Sequence, residues 1–139
     1  MALGTLFFGS YEHSLDAKGR LILPARLRPP FTSGGYLTPH SERCLGLFPA
    51  EAFEEEIAKR RAQASGDARD RNEVRGWAAA VFEAEIDKQG RMVVPAHLRT
   101  YAGLESEVLV VGMIDRVELW SPVAWAAKDE LVAPEGADA

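Results

Sequence analysis

One cysteine, Cys44, occurs in the 139 residues. That excludes an intrachain disulfide and a cysteine-rich metal site, and it suits a reducing, cytoplasmic setting. No apolar run approaches the ~18 residues a membrane-spanning helix needs. The start, MALGTLFFGSYEHSLD, has neither a basic leader nor a long apolar core, so no secretory signal is expected. His13, His40 and His97 lack metal-ligand spacing, and neither H-E-x-x-H nor C-x-x-C occurs. Gly34-Gly35 is not followed by the Lys-Ser/Thr of a phosphate loop. Cys44 stands among apolar residues, where a small buried hydrophobe is a better reading than a nucleophile. These absences leave no basis for catalysis, a cofactor, a metal or a small-molecule substrate. Positive charge is also scarce: the formal net charge is −5, which counts against a nucleic-acid partner unless the basic residues are gathered on one face.

What the chain does hold is 47% apolar residues, enough for a packed core, and a repeated phrase. Residues 15–24 read LDAKGRLILP and residues 86–95 read IDKQGRMVVP. At an offset of 71 residues, Asp16 falls on Asp87, Gly19 on Gly90, Arg20 on Arg91, Pro24 on Pro95, Leu27 on Leu98 and Arg28 on Arg99. The stretch Arg43–Pro49 matches Arg116–Pro122 at an offset of 73. The spacing predicts two copies of one unit, residues 7–61 and 77–128, joined by a connector over 62–76 and followed by an acidic, flexible tail over 129–139. Units this small bury little core alone, so the copies are expected to support each other or other chains.

Each copy predicts the same plan. A strand (9–15, or 81–86) enters a tight turn, and a return strand (Arg20–Leu23, or Arg91–Val94) leaves it, as in a hairpin. Asp opens the turn and Gly closes it with a positive φ. Pro24 and Pro95 stop the return strand and open short helices, which Pro29-Pro30 and Gly103 end. A second hairpin follows (36–38 with 44–48, and 108–111 with 117–120), and then a helix, opened by Pro49 or capped by Ser121. The connector is expected to begin as a polar loop and to turn helical from about Asp70, with Val74, Trp77, Ala78 and Val81 on one face. Trp77, Trp120 and Trp125 read as core or interface anchors.

Asp16, Gly19, Asp87 and Gly90 have a sufficient reason to be where they are: they structure the turns. Arg20 and Arg91 do not, because the turn needs no arginine after its glycine. Two readings stand. Each Arg pairs with the Asp four residues before it, or the two guanidinium groups, with Lys18 and Lys88, form a presented basic edge suited to phosphate or guanine. Local charge favours the edge: Lys18, Arg20, Arg26 and Arg28 accompany a single acid over 16–28, and Lys88, Arg91 and Arg99 accompany two over 85–99. The run Lys59-Arg60-Arg61 reads as a solvated helix end.

FFGSYEHSLDAKGRLILPARLR, FEAEIDKQGRMVVPAHLR and LVVGMIDRVELWSP together resemble the MraZ family of bacterial transcriptional regulators, over about residues 7–126. One D-x-x-G-R-(three apolar)-P motif alone is also similar to the AbrB/SpoVT type of DNA-binding domain. The resemblance implies an α+β fold: two pseudo-symmetric swapped-hairpin repeats of double-psi type, intertwined in one domain. It implies a repressor that binds double-stranded DNA at tandem promoter repeats of the division and cell-wall gene cluster, its own gene included. It implies self-association into a closed, octamer-like ring and a nucleoid-associated location. On the family's D-x-x-x-R element it assigns DNA contact to Arg20 and Arg91, with Asp16 and Asp87 holding the loops. Lys18, Lys88, Arg26, Arg28 and Arg99 follow as further contacts from local charge. Met1–Leu6 precede the Phe-Phe-Gly at which family chains usually begin and read as an extension or an alternative start. His97 replaces Arg26 in the second copy, so unequal contacts by the two halves are expected. The alternative function is a non-catalytic oligomeric structural or protein-interaction module.

Overall fold

The two copies of the repeat exchange strands. In the computed structural model, which describes residues 6–131, strand β1 (Ser10–Ser14) runs into the first turn and β2 (Arg20–Ile22) leaves it. They share only the bridge Leu15–Leu21. Strand β1 pairs instead with β7 (Glu107–Met113), and β2 pairs with its own counterpart in the second copy, β6 (Arg91–Val93). The expected local hairpin is therefore corrected to a swapped one. The alternation in Arg-Leu-Ile-Leu states which face is buried but not which strand lies alongside. Pairing β2 with β6 buries both Leu21 and Met92.

The remaining strands are β3 (Gly35–Pro39), β4 (Leu45–Phe48), β5 (Phe82–Ala84) and β8 (Arg116–Trp120). They form an antiparallel sheet in the order β1-β7-β8-β4-β3-β5. Exchanging each strand for its repeat counterpart reverses this order onto itself, which is a pseudo-twofold axis between β4 and β8. There Gly46 lies opposite Glu118, and in the ribbon Leu21 lies opposite Met92. Leu21 and Met92 are equivalent at the offset of 71, and Gly46 and Glu118 are equivalent at the offset of 72 that also relates the helix N-caps Pro49 and Ser121. One core runs across the axis, with Leu21, Leu23, Leu37, Leu45 and Leu47 from the first copy meeting Val94, Leu98, Val110, Val117 and Leu119 from the second. Complete burial of each such side chain stabilises by about 1.5–3 kcal/mol, which neither copy gains alone. The result is an α+β domain with swapped hairpins.

Helices cover the sheet ends. Pro49 sits at the N-cap of α1 (Ala50–Ala64), and a second helix, α2 (Ala68–Ala80), returns against it. Only Ser65, Gly66 and Asp67 separate them, so the polar loop expected at the start of the connector is a tight turn. Asp67 accepts from the Asp70 amide at 2.9 Å and Asp70 reaches back to the Asp67 amide, a capping box that the polar composition concealed. Phe53 and Trp77 lock the two helices over Phe48, with Tyr36 stacked on Phe53 at 4.4 Å. Arg60 lies over the Trp77 ring at 4.9 Å and near Glu56 at 3.8 Å, so the Lys59–Arg61 run is in part a packing element.

Helix α3 (Ala96–Ala102) follows Pro95 and ends at Gly103, which has a φ of 65°. The first copy has no equivalent α-helix. It makes a 3-10 turn at Ala25–Leu27 and another at Pro29–Phe31, so Pro29-Pro30 opens a second turn where termination was expected. A proline's missing N–H costs nothing at the start of a turn. Ser121 caps α4 (Pro122–Ala127) by accepting from the Ala124 amide at 3.0 Å. Trp120 is buried, and Trp125 is half-exposed edge-on to it at 5.3 Å. Of the expected acidic tail, 129–131 continue the last 3-10 turn; residues 1–5 and 132–139 lie outside the described residues.

Candidate nucleic-acid interface

Both D-x-x-G-R loops close in the same way. Asp16 Oδ1 accepts from the Lys18 and Arg20 amides, each at 2.9 Å, and Oδ2 accepts from Arg20 Nε at 2.8 Å. Asp87 repeats the pattern with the Gln89 and Arg91 amides at 2.9 Å and Arg91 Nε at 2.7 Å. Gly19 and Gly90 take φ of 77° and 86°, which glycine alone adopts without strain. The Arg20 amide, with the Arg20 side chain and the Lys18 amide, holds the Asp16 carboxyl below the usual carboxylate range. The Arg91 amide and side chain do the same for Asp87.

The two readings of Arg20 and Arg91 turn out to be compatible. Each is paired with its aspartate, but through Nε, so the two terminal amino groups are outside that contact. The aspartate fixes the direction of the guanidinium plane rather than consuming it. The register then sets both on one surface. Arg20 lies opposite Val93 and Ile22 opposite Arg91, so the solvent face of the ribbon carries Arg20, Ile22, Arg91 and Val93. Leu21 and Met92 point into the core. The strands are antiparallel, so the two loops lie at opposite ends of the ribbon with exposed Lys18 and Lys88 upon them. Ile22 and Val93 are 46% and 44% exposed. Alternation in the sequence suggested a one-sided ribbon, but two outward aliphatic residues were not anticipated.

The further basic residues divide. Arg26 is exposed on the first 3-10 turn. His97, its counterpart, places Nε2 3.0 Å from the Ala80 carbonyl oxygen at the end of α2, so the two halves differ at this position. Arg28 and Arg99 are half-buried. Arg28 Nε donates to the Leu23 carbonyl at 2.7 Å, and Arg99 Nη1 donates to the Val94 carbonyl. Each guanidinium lies against the glycine of the opposite loop. A Cβ on Gly90 would collide with Arg28 Nε, and one on Gly19 would collide with Arg99 Nη1. Nothing in the sequence spacing distinguished these two arginines from the exposed ones.

Cys44 is 1% exposed and its thiol is pushed up to about 12 by burial, which agrees with the reading of it as a small hydrophobe. Burial likewise lowers His40. Among the described residues no helix is long and apolar enough to cross a membrane.

A family model described as "MraZ protein, putative antitoxin-like" matches residues 6–75 and 78–131. The chain belongs to the MraZ family. It is 43% identical over 131 residues to a protein of Thermomicrobium roseum, covering 94% of this chain and 92% of that one. It is 40% identical over 129 residues to one of Heliobacterium modesticaldum, covering 93% and 90%. A third relative, from a Nocardioides species, is 41% identical and covers 86% of this chain and 83% of its own. All three are named transcriptional regulator MraZ. The resemblance in the doubled loop thus extends to nearly the whole chain, and the swapped pairing of β2 with β6 agrees with the fold it implied.

Proposed function

We propose that the chain is a sequence-specific DNA-binding transcriptional repressor, without catalysis or cofactor, acting on the nucleoid in the cytoplasm. The names of its relatives support transcriptional regulation. The observation that carries DNA contact is the ribbon, a pair of guanidinium groups on one solvent face, each aimed by an aspartate through Nε. A two-stranded ribbon fits the DNA major groove, about 12 Å wide, and arginine bonds guanine O6 and N7 in two-point fashion. Lys18, Lys88 and Arg26 supply phosphate contacts, and Ile22 and Val93 meet thymine methyl groups. Arg28 and Arg99, each bonded to a backbone carbonyl and packed on a glycine of the opposite loop, contribute less by direct contact.

The proposed operator is a set of tandem repeats in the promoter of the division and cell-wall gene cluster, including the chain's own gene, bound by a closed homo-oligomeric ring. A ring answers the net charge of −5. Each chain needs one small basic face, and contacts along matched repeats multiply by effective concentration.

The test is an anisotropy titration against duplex from upstream of the gene, with a shuffled control, over a salt series. Tight binding of the native duplex with a steep negative salt slope, weakened by about one to two orders of magnitude in Arg20→Ala and in Arg91→Ala, is expected. The exposed Ile22 and Val93 favour one rival, in which the ribbon is an assembly surface of an oligomeric interaction module. No duplex preference at any salt, with intact assembly in Arg20→Ala, would establish that rival. A light-scattering mass of one chain would remove the ring.

A further inference from the structure

We infer that Arg28 and Arg99 are positioning residues that act across the pseudo-twofold axis, each setting the DNA-binding loop of the opposite copy. The inference rests on the reading of Arg20 and Arg91 as DNA contacts.

Each loop has little support from its own copy beyond its Asp. Its exit strand pairs with the other copy, and its glycine carbonyl accepts from the other copy too. Val94 N–H donates to Gly19 O at 2.9 Å, and Leu23 N–H donates to Gly90 O at 2.7 Å. The arginines complete this exchange. Arg99 is anchored to its own copy by the Val94 carbonyl and lies on Gly19; Arg28 is anchored by the Leu23 carbonyl and lies on Gly90. A flat guanidinium can bond a carbonyl in its plane while packing a face on a neighbour, which a lysine ammonium cannot. The glycines are thus required twice over, by their positive φ and by the arginine that occupies the space of a side chain. Each spends one donor on a carbonyl of its own copy and rests its guanidinium on the opposite glycine, so the first role of Arg28 and Arg99 is to hold that loop rather than to meet phosphate. Their effect is to fix both loops to one frame, so that Arg20 and Arg91 meet DNA at a set spacing.

A crossed pattern follows, and a DNA-contact or purely local role does not give it. The experiment combines Arg28→Gln and Arg99→Gln with Arg20→Ala and Arg91→Ala in double-mutant cycles on operator binding. Arg99→Gln is expected to weaken binding about tenfold, in the range of residues sharing one network. That factor should vanish in Arg20→Ala and persist in Arg91→Ala; Arg28→Gln should mirror it. The salt slope of either single Gln variant should stay that of the parent, whereas loss of a phosphate contact lowers it by about one. Additive losses with both partners, or coupling to the arginine of the same copy, would overturn the inference.

A second readout needs no DNA. Backbone amide shifts of residues 16–20 should respond to Arg99→Gln, and those of 87–91 to Arg28→Gln. Shifts confined to the mutated copy's loop would defeat the inference whatever the DNA result, while unchanged binding in Arg20→Ala with the crossed shifts present would defeat the proposed function and the coupling to DNA that rests on it, leaving the loop positioning itself intact. If the Gln variants do not fold, Arg28→Lys and Arg99→Lys keep the charge but lose the flat face, and the same crossed pattern decides.

Discussion

Leu21 lies directly opposite Met92 in a three-residue ribbon, and both are buried at 1% exposure or less. They occupy the same position in the two copies and meet on the pseudo-twofold axis. Leu21→Ala and Met92→Ala should each destabilise by about 2–5 kcal/mol, as large-to-small changes in packed cores do. The double variant should cost less than the sum, because the two share one space. Denaturant unfolding of the four proteins measures this; strict additivity would mean the pair does not form the seam between the copies.

At the other crossing of the axis, Glu118 is buried opposite Gly46. It pairs with Arg116 Nη2 at 2.8 Å and accepts from Trp120 Nε1 at 2.9 Å. Glu118→Ala would leave a partly buried guanidinium and a buried indole N–H without their acceptor. The expected loss is about 2–4 kcal/mol. Glu118→Gln, which still offers an oxygen to Trp120, should lose less. A thermal melt in which both variants match the parent would show that the network contributes nothing.

The loops carry a pH dependence of known sign. Asp16 and Asp87 have native carboxyls held below their ordinary range by amide and guanidinium donors. The unfolded chain binds those protons more readily, so the contribution is present above about pH 4 and lost as pH falls through the lowered native values. Carboxyl-detected NMR should find both midpoints below that of a free aspartate, with Arg20 and Arg91 shifts moving in step. An ordinary midpoint at either site would contradict the ion pair.

Cys44 offers a check on burial. Its thiol is pushed up to about 12 by desolvation, and its Sγ lies 3.4 Å from the Ser41 carbonyl oxygen. Thiolate is the reactive species, so the native protein should resist iodoacetamide at pH 8 and react on unfolding. Rapid stoichiometric labelling of folded protein would place the thiol at the surface.

The sequence by itself determined the local units. Asp16, Gly19, Asp87 and Gly90 had to make tight turns, because side-chain acceptors and positive φ act over four residues. The same reach decided Gly103 at the end of α3 and Ser121 at the start of α4. The doubling of the motif also specified two equivalent halves and the identity of Arg20 and Arg91 as residues the turns did not need. Tertiary structure decided the partners. A strand's alternation names its buried face and not its neighbour, so the exchange of β2 and β6 between copies depends on burying Leu21 and Met92 together. It also decided which arginines pack on the loop of the opposite copy. Arg28 and Arg99 stand in the same basic stretches as Arg20 and Arg91, yet they rest against glycines 62 and 80 residues away in the chain, at contacts that the swapped fold brings together.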